Sequence, residues 1–262
     1  MPELPDLEVF CGNLDKLVGG RRIEEVTVHN GRKISVPGSY FVSAVRGSSV
    51  RRIYREGKEL YFWLSSGNSF SVHLMLNGRF KVGETGSLED TKARIVTFAF
   101  NNNTEMNISD YQGMCKVTLN PKPSDVPDAL SEKFTPEYLR KALAKNQGMN
   151  IKALLIDQHI LKGIGNAYAD EILWAANISP ESVAGKIPEG PAGELFNAIR
   201  EVLSSAIVKI RELSPDIISG EVRSFLSVHN SKKTAADDGS PILVKNIATK
   251  TTYFTDRQVV YK

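Results

Sequence analysis

The chain has 262 residues, a formal net charge of +3 and 41% hydrophobic residues, which suffices for one large soluble domain or two ordinary ones. The sequence pI near 8.7 is compatible with a nucleic-acid partner without demonstrating one. Two distant cysteines, Cys11 and Cys115, exclude a disulfide framework or a paired-cysteine metal site, no apolar run reaches membrane-spanning length, and no basic leader precedes the first apolar run, so a cytoplasmic or nucleoid-associated location is expected.

The chain opens MPELPDLEVF. Leu7, Phe10, Cys11, Leu14, Leu17 and Val18 recur at helical spacing. Pro5 suits a first helical turn, Asp6 and Glu8 suit the positive end of the helix dipole, and Gly19-Gly20 ends the helix. From Arg22 to about Leu119 the texture changes. RIEEVTVH, SAVRGSSVRRIYR, KELYFWLSS, SFSVHLML, RIVTFAFNN and MCKVTL are β-branched or aromatic runs separated by Gly, Asn and Ser. They predict antiparallel strands in a sandwich or barrel. Leu76-Asn77-Gly78 carries hairpin-turn chemistry, and Lys58 opens a very apolar strand.

PKPSDVPD at 121–128 is turn-rich and marks a linker. Thr135-Pro136-Glu137 is a capped helix start, and helices are predicted over 136–145, 150–158, 165–176 and 191–212. From about Ser224 the chain returns to short β segments, PILVKNI and TKTTYFT, joined at Ala248-Thr249. The predicted fold is α+β. A helix and antiparallel β-sandwich domain covers 1–120, a linker 121–134, a helical domain 135–223 and a β-hairpin segment 224–262.

Four stretches point to chemistry, and each has a plainer reading. LKGIGNAYADEILW reads as helix, glycine turn, helix, where amides at a helix N-terminus would hold a phosphate; an ordinary helical hairpin fits as well. His73 is a strand histidine, more often structural than functional. Leu76 is either core or an exposed apolar wedge of the kind that unstacks bases. Lys58 and the lysines and threonines of KNIATKTTYF either grip phosphates or are solvated surface.

Taken together and in this order, MPELPDLE, Gly57-Lys58, HLMLNG, LIDQHILKGIGNAYADEILW and KTTYF resemble the formamidopyrimidine-DNA glycosylase and endonuclease VIII family of base-excision repair enzymes. The resemblance spans nearly the whole chain. It implies a helix plus β-sandwich catalytic domain, a helix–two-turn–helix domain with a hairpin finger, and damaged double-stranded DNA bound in a cleft between domains. It also implies a bifunctional glycosylase and abasic-site lyase acting as a monomer on a flipped nucleotide, with no cofactor.

The resemblance assigns roles residue by residue. Once Met1 is removed, Pro2 carries a free secondary amine, the nucleophile that attacks C1′ of the damaged nucleotide. An α-amino group titrates at roughly 7.7–8.0, and a helix N-terminus lowers that further. Glu3 is the neighbouring general acid/base. Lys58 contacts phosphate and assists elimination, His73 and Asn166 bind phosphate, and Leu76 fills the gap left by the flipped base. Lys250 stands where the finger usually carries an arginine, and is expected to bind phosphate and to donate a proton in a second elimination.

The departures also carry information. Asp6 replaces a glutamate. Asp110-Tyr111-Gln112-Gly113-Met114-Cys115 lacks the arginine that usually reads the opposite strand, leaving Gln112 to hydrogen-bond and Met114 to wedge. Ala235, Asp238, Thr255 and Gln258 stand near the four expected cysteines, so a zincless finger is expected. The segment 213–225 is short for a loop that covers 8-oxoguanine. The alternative from another class is a damaged-DNA-binding module without catalysis, against which Pro2, Glu3 and Lys58 argue.

Overall fold

The computed structural model describes residues 1–89 and 92–262. These divide into two compact units, Met1–Pro123 with Ile210–Glu221, and Ser124–Lys209 with Val222–Lys262.

In the first unit, helix α1 (Leu4–Val18) begins in a capping box: the backbone N–H of Glu3 donates to the Asp6 carboxylate at 2.9 Å, while the Glu3 carboxylate faces the Asp6 amide. Pro5 lies in the first turn, and Gly20, at φ +73°, carries the chain out of the helix. The buried face of Leu7, Phe10, Leu14 and Val18 joins the core.

That core lies between two four-stranded antiparallel sheets. One sheet orders β1 (Ile23–Val28), β6 (Arg94–Phe100), β7 (Thr104–Ser109) and β5 (Arg79–Glu84). The other orders β2 (Val50–Glu56), β3 (Glu59–Leu64), β4 (Ser69–His73) and β8 (Lys116–Leu119). Aromatic rings fill the space between them: Phe62 stacks on Phe70 at 4.6 Å, Phe70 on Phe98 at 5.1 Å, and Phe41 meets both Phe70 and Phe98 edge-on. Each such buried side chain contributes about 1.5–3 kcal/mol of transfer free energy.

Three expectations change here. Part of the predicted 43–55 strand is helical, because α2 (Gly38–Val45) seats Phe41 and Val45 in the core and the strand begins only at Val50. Leu76-Asn77-Gly78 does not close a hairpin: β4 and β5 lie in different sheets, so this turn crosses from one layer to the other. Gly78 is required there, since a Cβ would lie 2.3 Å from the Leu74 carbonyl oxygen. Lys58 does not open β3 but sits with Gly57, at φ +60°, in the two-residue β2–β3 turn, and it is buried.

In the second unit, α3 (Pro136–Lys145) and α4 (Ile151–Ile156) are capped by the Thr135 and Asn150 side chains. Helices α5 (Asn166–Ala175) and α6 (Glu189–Leu213) follow, with Leu154, Leu155, Ile172, Leu173, Leu195 and Ile199 fully buried. Strands β9 (Leu243–Ile247) and β10 (Lys250–Phe254) form the expected hairpin around Ala248-Thr249, both at positive φ. Strand β9 has no buried residue. Leu243 is exposed and Val244 is 56% exposed, whereas Thr252 and Phe254 are buried. Among the described residues no helix is long and apolar enough to cross a membrane.

Candidate nucleic-acid and catalytic site

Pro2, Glu3, Lys58, His73, Leu76, Gln112 and Met114 lie on the first unit, and Asn166 and Lys250 on the second. Pro2 and Glu3 are buried at the N-terminus of α1. One guanidinium that sequence reasoning passed over ties this helix to the Lys58 turn: Arg55 Nε donates to Glu8 of α1 at 2.8 Å, and its Nη1 donates to the Gly57 carbonyl at 3.1 Å. Glu221, also unforeseen, contacts the Met1 ammonium.

His73 ends β4 opposite Lys116. Burial holds its pKa below the usual 6.5; Glu59 opposes the shift, and the positive charges of Lys58 and Lys116 reinforce it. Its Nδ1 accepts the Met75 N–H at 3.1 Å, so the neutral ring presents Nε2–H as a donor. Lys58, Glu59, His73 and Lys116 therefore form one electrostatic cluster. Two residues beyond His73 the backbone turns at Met75, φ +54°, and leaves Leu76 49% exposed, which suits a wedge better than core.

The 110–115 loop is built on one buried carboxylate. Asp110 accepts the N–H groups of Gln112, Met114 and Cys115 at 2.9, 2.5 and 2.7 Å, and Gly113 takes φ +63°. This arrangement turns Gln112 and Met114 outward, together with Tyr111, which is 77% exposed and was not singled out from the sequence. Beside the loop a cavity of about 410 Å³ is lined by Arg32, Lys33, Lys116, Met75 and Met114. Its positive charge suits an anion.

In the second unit, the turn before α5 differs in detail from the expectation of amides free for a phosphate. The Gly163 N–H is already donated to Gln158 Oε1 at 2.9 Å, and Gln158 Nε2 braces the Ile156 and Ile164 carbonyls. Asn166 opens α5 and donates to the Thr251 carbonyl at 3.0 Å. Lys250 is exposed at the start of β10. A second polar cavity, about 470 Å³, is lined by Arg223, His229, Asn230, Lys232 and Tyr253. Sequence reasoning passed over it, although all its lining but Tyr253 comes from the single stretch 223–232.

The finger positions do not fit a zinc ion. Asp238 pairs with Arg257, Gln258 bonds to the Thr255 N–H and the Ile178 carbonyl, and Ala235 offers no donor atom. Among the described residues no three His, Cys, Asp or Glu side chains gather as a metal site.

Two family models match the chain: the formamidopyrimidine-DNA glycosylase N-terminal domain over residues 1–117 and the formamidopyrimidine-DNA glycosylase H2TH domain over residues 126–214. Among curated relatives, the formamidopyrimidine-DNA glycosylase of Carboxydothermus hydrogenoformans is 35% identical over 208 residues, covering 79% of this chain and 78% of that one. The enzyme of the same name from Pelotomaculum thermopropionicum is 30% identical over 272 residues, covering 97% of each. Among solved structures, Lactococcus lactis Fpg with abasic-site DNA superposes with a TM-score of 0.85 at 23% identity, covering 97% of this chain and 98% of that one. A complex of the LlFpg protein with THF-DNA and an inhibitor gives 0.87 at 24% identity, covering 98% and 100%.

Proposed function

Because the chain belongs to the formamidopyrimidine-DNA glycosylase family and is a base-excision-repair DNA glycosylase with abasic-site lyase activity, we propose that it removes oxidised bases through the amine of Pro2. Removal of Met1 frees that amine. Its lone pair attacks C1′ as the N-glycosidic bond breaks, and the proton shed by the Pro2 nitrogen leaves with the base. Glu3 supplies the proton that opens the sugar at its ring oxygen. The resulting iminium joins Pro2 to C1′ and acidifies the C2′ hydrogen. Loss of that proton expels the 3′ phosphate and cuts the strand.

The observation that carries this reading is Glu3. It is a nearly buried carboxylate held beside Pro2 by the capping box with Asp6, so the acid is oriented before DNA binds. Lys58, which the Arg55 bridge ties to α1, grips the phosphate and assists elimination. His73 donates from Nε2 to a phosphate oxygen. Leu76, Met114 and Tyr111 fill the space vacated by the extruded nucleotide, and Gln112 reads the opposite base. Asn166, Lys250 and the cavity of Arg223, His229 and Lys232 hold the DNA backbone on the second unit. In this reading residues 1–120 form the catalytic domain, 135–223 the helical DNA-binding domain, whose stretch 210–221 belongs to the first compact unit, and 224–262 the finger; the protein acts inside the cell as a monomer.

The test separates the two halves of the reaction. Glu3→Gln should abolish excision of a damaged base while retaining measurable cleavage at a preformed abasic site. Equal loss of both would remove Glu3 from the sugar-opening role.

A further inference from the structure

The donor set of the hairpin does not fit a structural metal and β9 has no buried residue, yet β10 is fixed in place. Lys152 of α4 and Asp170 of α5 have fully buried side chains and pair at 2.7 Å. The Lys152 ammonium also donates to the Thr252 hydroxyl at 2.6 Å and reaches the Thr251 carbonyl at 3.5 Å. The Asp170 carboxylate accepts the Tyr253 N–H at 3.0 Å and contacts His229 Nδ1 at 2.7 Å. Asn166, one turn before Asp170, holds the Thr251 carbonyl. Three consecutive residues of β10 are thus tied to two helices by charged or amide groups. Glu171 accepts the N–H groups of Ser227, Val228 and His229 at 2.7–2.8 Å and fixes the chain that leads into the hairpin.

We propose that the Lys152–Asp170 pair does for this finger what a structural metal ion does elsewhere: it is the post on which the hairpin is mounted, and it positions Lys250. The chemistry matches the task. An ammonium offers three donors and a carboxylate about four acceptor sites, enough to organise several strands of chain around one point. Breaking such a pair from one side leaves a buried charge uncompensated and is strongly destabilising. Burial cannot substitute for it, because the outer strand β9 exposes Leu243 and Val244. Lys250 directly precedes the anchored Thr251–Tyr253, and the turn before it has both central residues at positive φ. The position of its backbone therefore follows from the post. Lys152 and Asp170 are positioning residues, not catalytic ones.

Amide hydrogen exchange on the whole protein tests this without DNA or chemistry, so it stands apart from the proposed reaction. In Lys152→Met the amides of 251–254 should exchange at least about a hundredfold faster, while those of Phe62 and Phe70 in the first unit keep their protection. On an abasic-site duplex the half-saturating DNA concentration should rise at least about fivefold, with borohydride trapping at saturation within about twofold of the parent, as expected when only backbone grip is lost. Thr252→Val keeps the branched shape, removes one hydrogen bond to the charge, and should speed exchange at 251–254 about tenfold. It decides the matter if Lys152→Met fails to fold. Chelator or added zinc should change neither protection nor grip. Unchanged exchange of the hairpin amides in both variants, or zinc-dependent protection in the parent, would overturn the proposal.

Discussion

Asp110→Ala removes the one carboxylate that shapes the 110–115 loop. Three backbone N–H groups lose an ionised acceptor at 2.5–2.9 Å. Each hydrogen bond to a charged group contributes about 1.5–3 kcal/mol, but three bonds to one carboxylate do not add. Gln112 and Met114 are exposed, so water takes over their amides, whereas Cys115 is buried and its amide is orphaned. A loss of about 3 kcal/mol follows, roughly a hundredfold in the loop's opening equilibrium. Asp110→Asn keeps one acceptor oxygen and turns an amide donor toward N–H groups, so it should fall between. The assay pairs denaturant unfolding with excision measured opposite each of the four bases. The Ala variant should be destabilised and should lose whatever discrimination Gln112 provides, while cleavage of saturating abasic DNA persists. An Ala variant within about 0.5 kcal/mol of the parent, with unchanged opposite-base preference, would refute the idea that Asp110 holds the reading loop.

Three further outcomes are expected. Segment 214–221 is pinned to the first unit by Asn13, which donates to the Pro215 and Ile217 carbonyls at 2.7 and 2.9 Å, and by Ser219 on Phe80, leaving little chain to cover an 8-oxoguanine; side-by-side excision assays should favour formamidopyrimidines or hydantoins, and a clear preference for 8-oxoguanine opposite cytosine would reverse this. Elemental analysis should find no stoichiometric zinc and chelator should leave strand cleavage intact; loss of activity restored by zinc would contradict the unfit donor set. His73 has a folded pKa below its unfolded value of 6.5, so its neutral form contributes stability that is full above that pH and is lost as pH falls through the lower folded value; thermal unfolding of His73→Gln should therefore depend less on pH below 6.5 than that of the parent, and parallel curves would count against it.

The change of texture was legible because hydrophobic periodicity changes near the proline-rich 121–128 segment; α3 follows its Thr135 cap closely, and α5 and α6 follow their apolar stripes. Strand β7 was not foreseen. Its sequence TEMNIS buries polar groups, with Asn107 bonded to Thr97 at 2.5 Å, so no alternation marks it. Helix α2 hid behind Gly38 and β-branched neighbours, because its stability comes from docking Phe41 against Phe70 and Phe98. The GIGN segment was legible as a glycine turn between helices, whereas the roles of Pro2 and Glu3 came only from the family resemblance. Arg55, Asp110, Glu221 and the Lys152–Asp170 pair could not be read locally, since each acts through partners set by the tertiary fold. Lys152 in particular looks like one more lysine on a helix, and only its burial against Asp170 and Thr252 gives it a role.

The most direct test of the account is borohydride trapping on an abasic-site duplex followed by peptide mapping of the adduct by mass spectrometry, using enzyme whose Met1 has been removed and enzyme whose N-terminus is chemically blocked. The deoxyribose remnant should be found on the Pro2 nitrogen in the first sample, and no adduct in the second. An adduct on Lys58 or Lys250, or full trapping by the blocked protein, would contradict the assignment of Pro2 as the nucleophile.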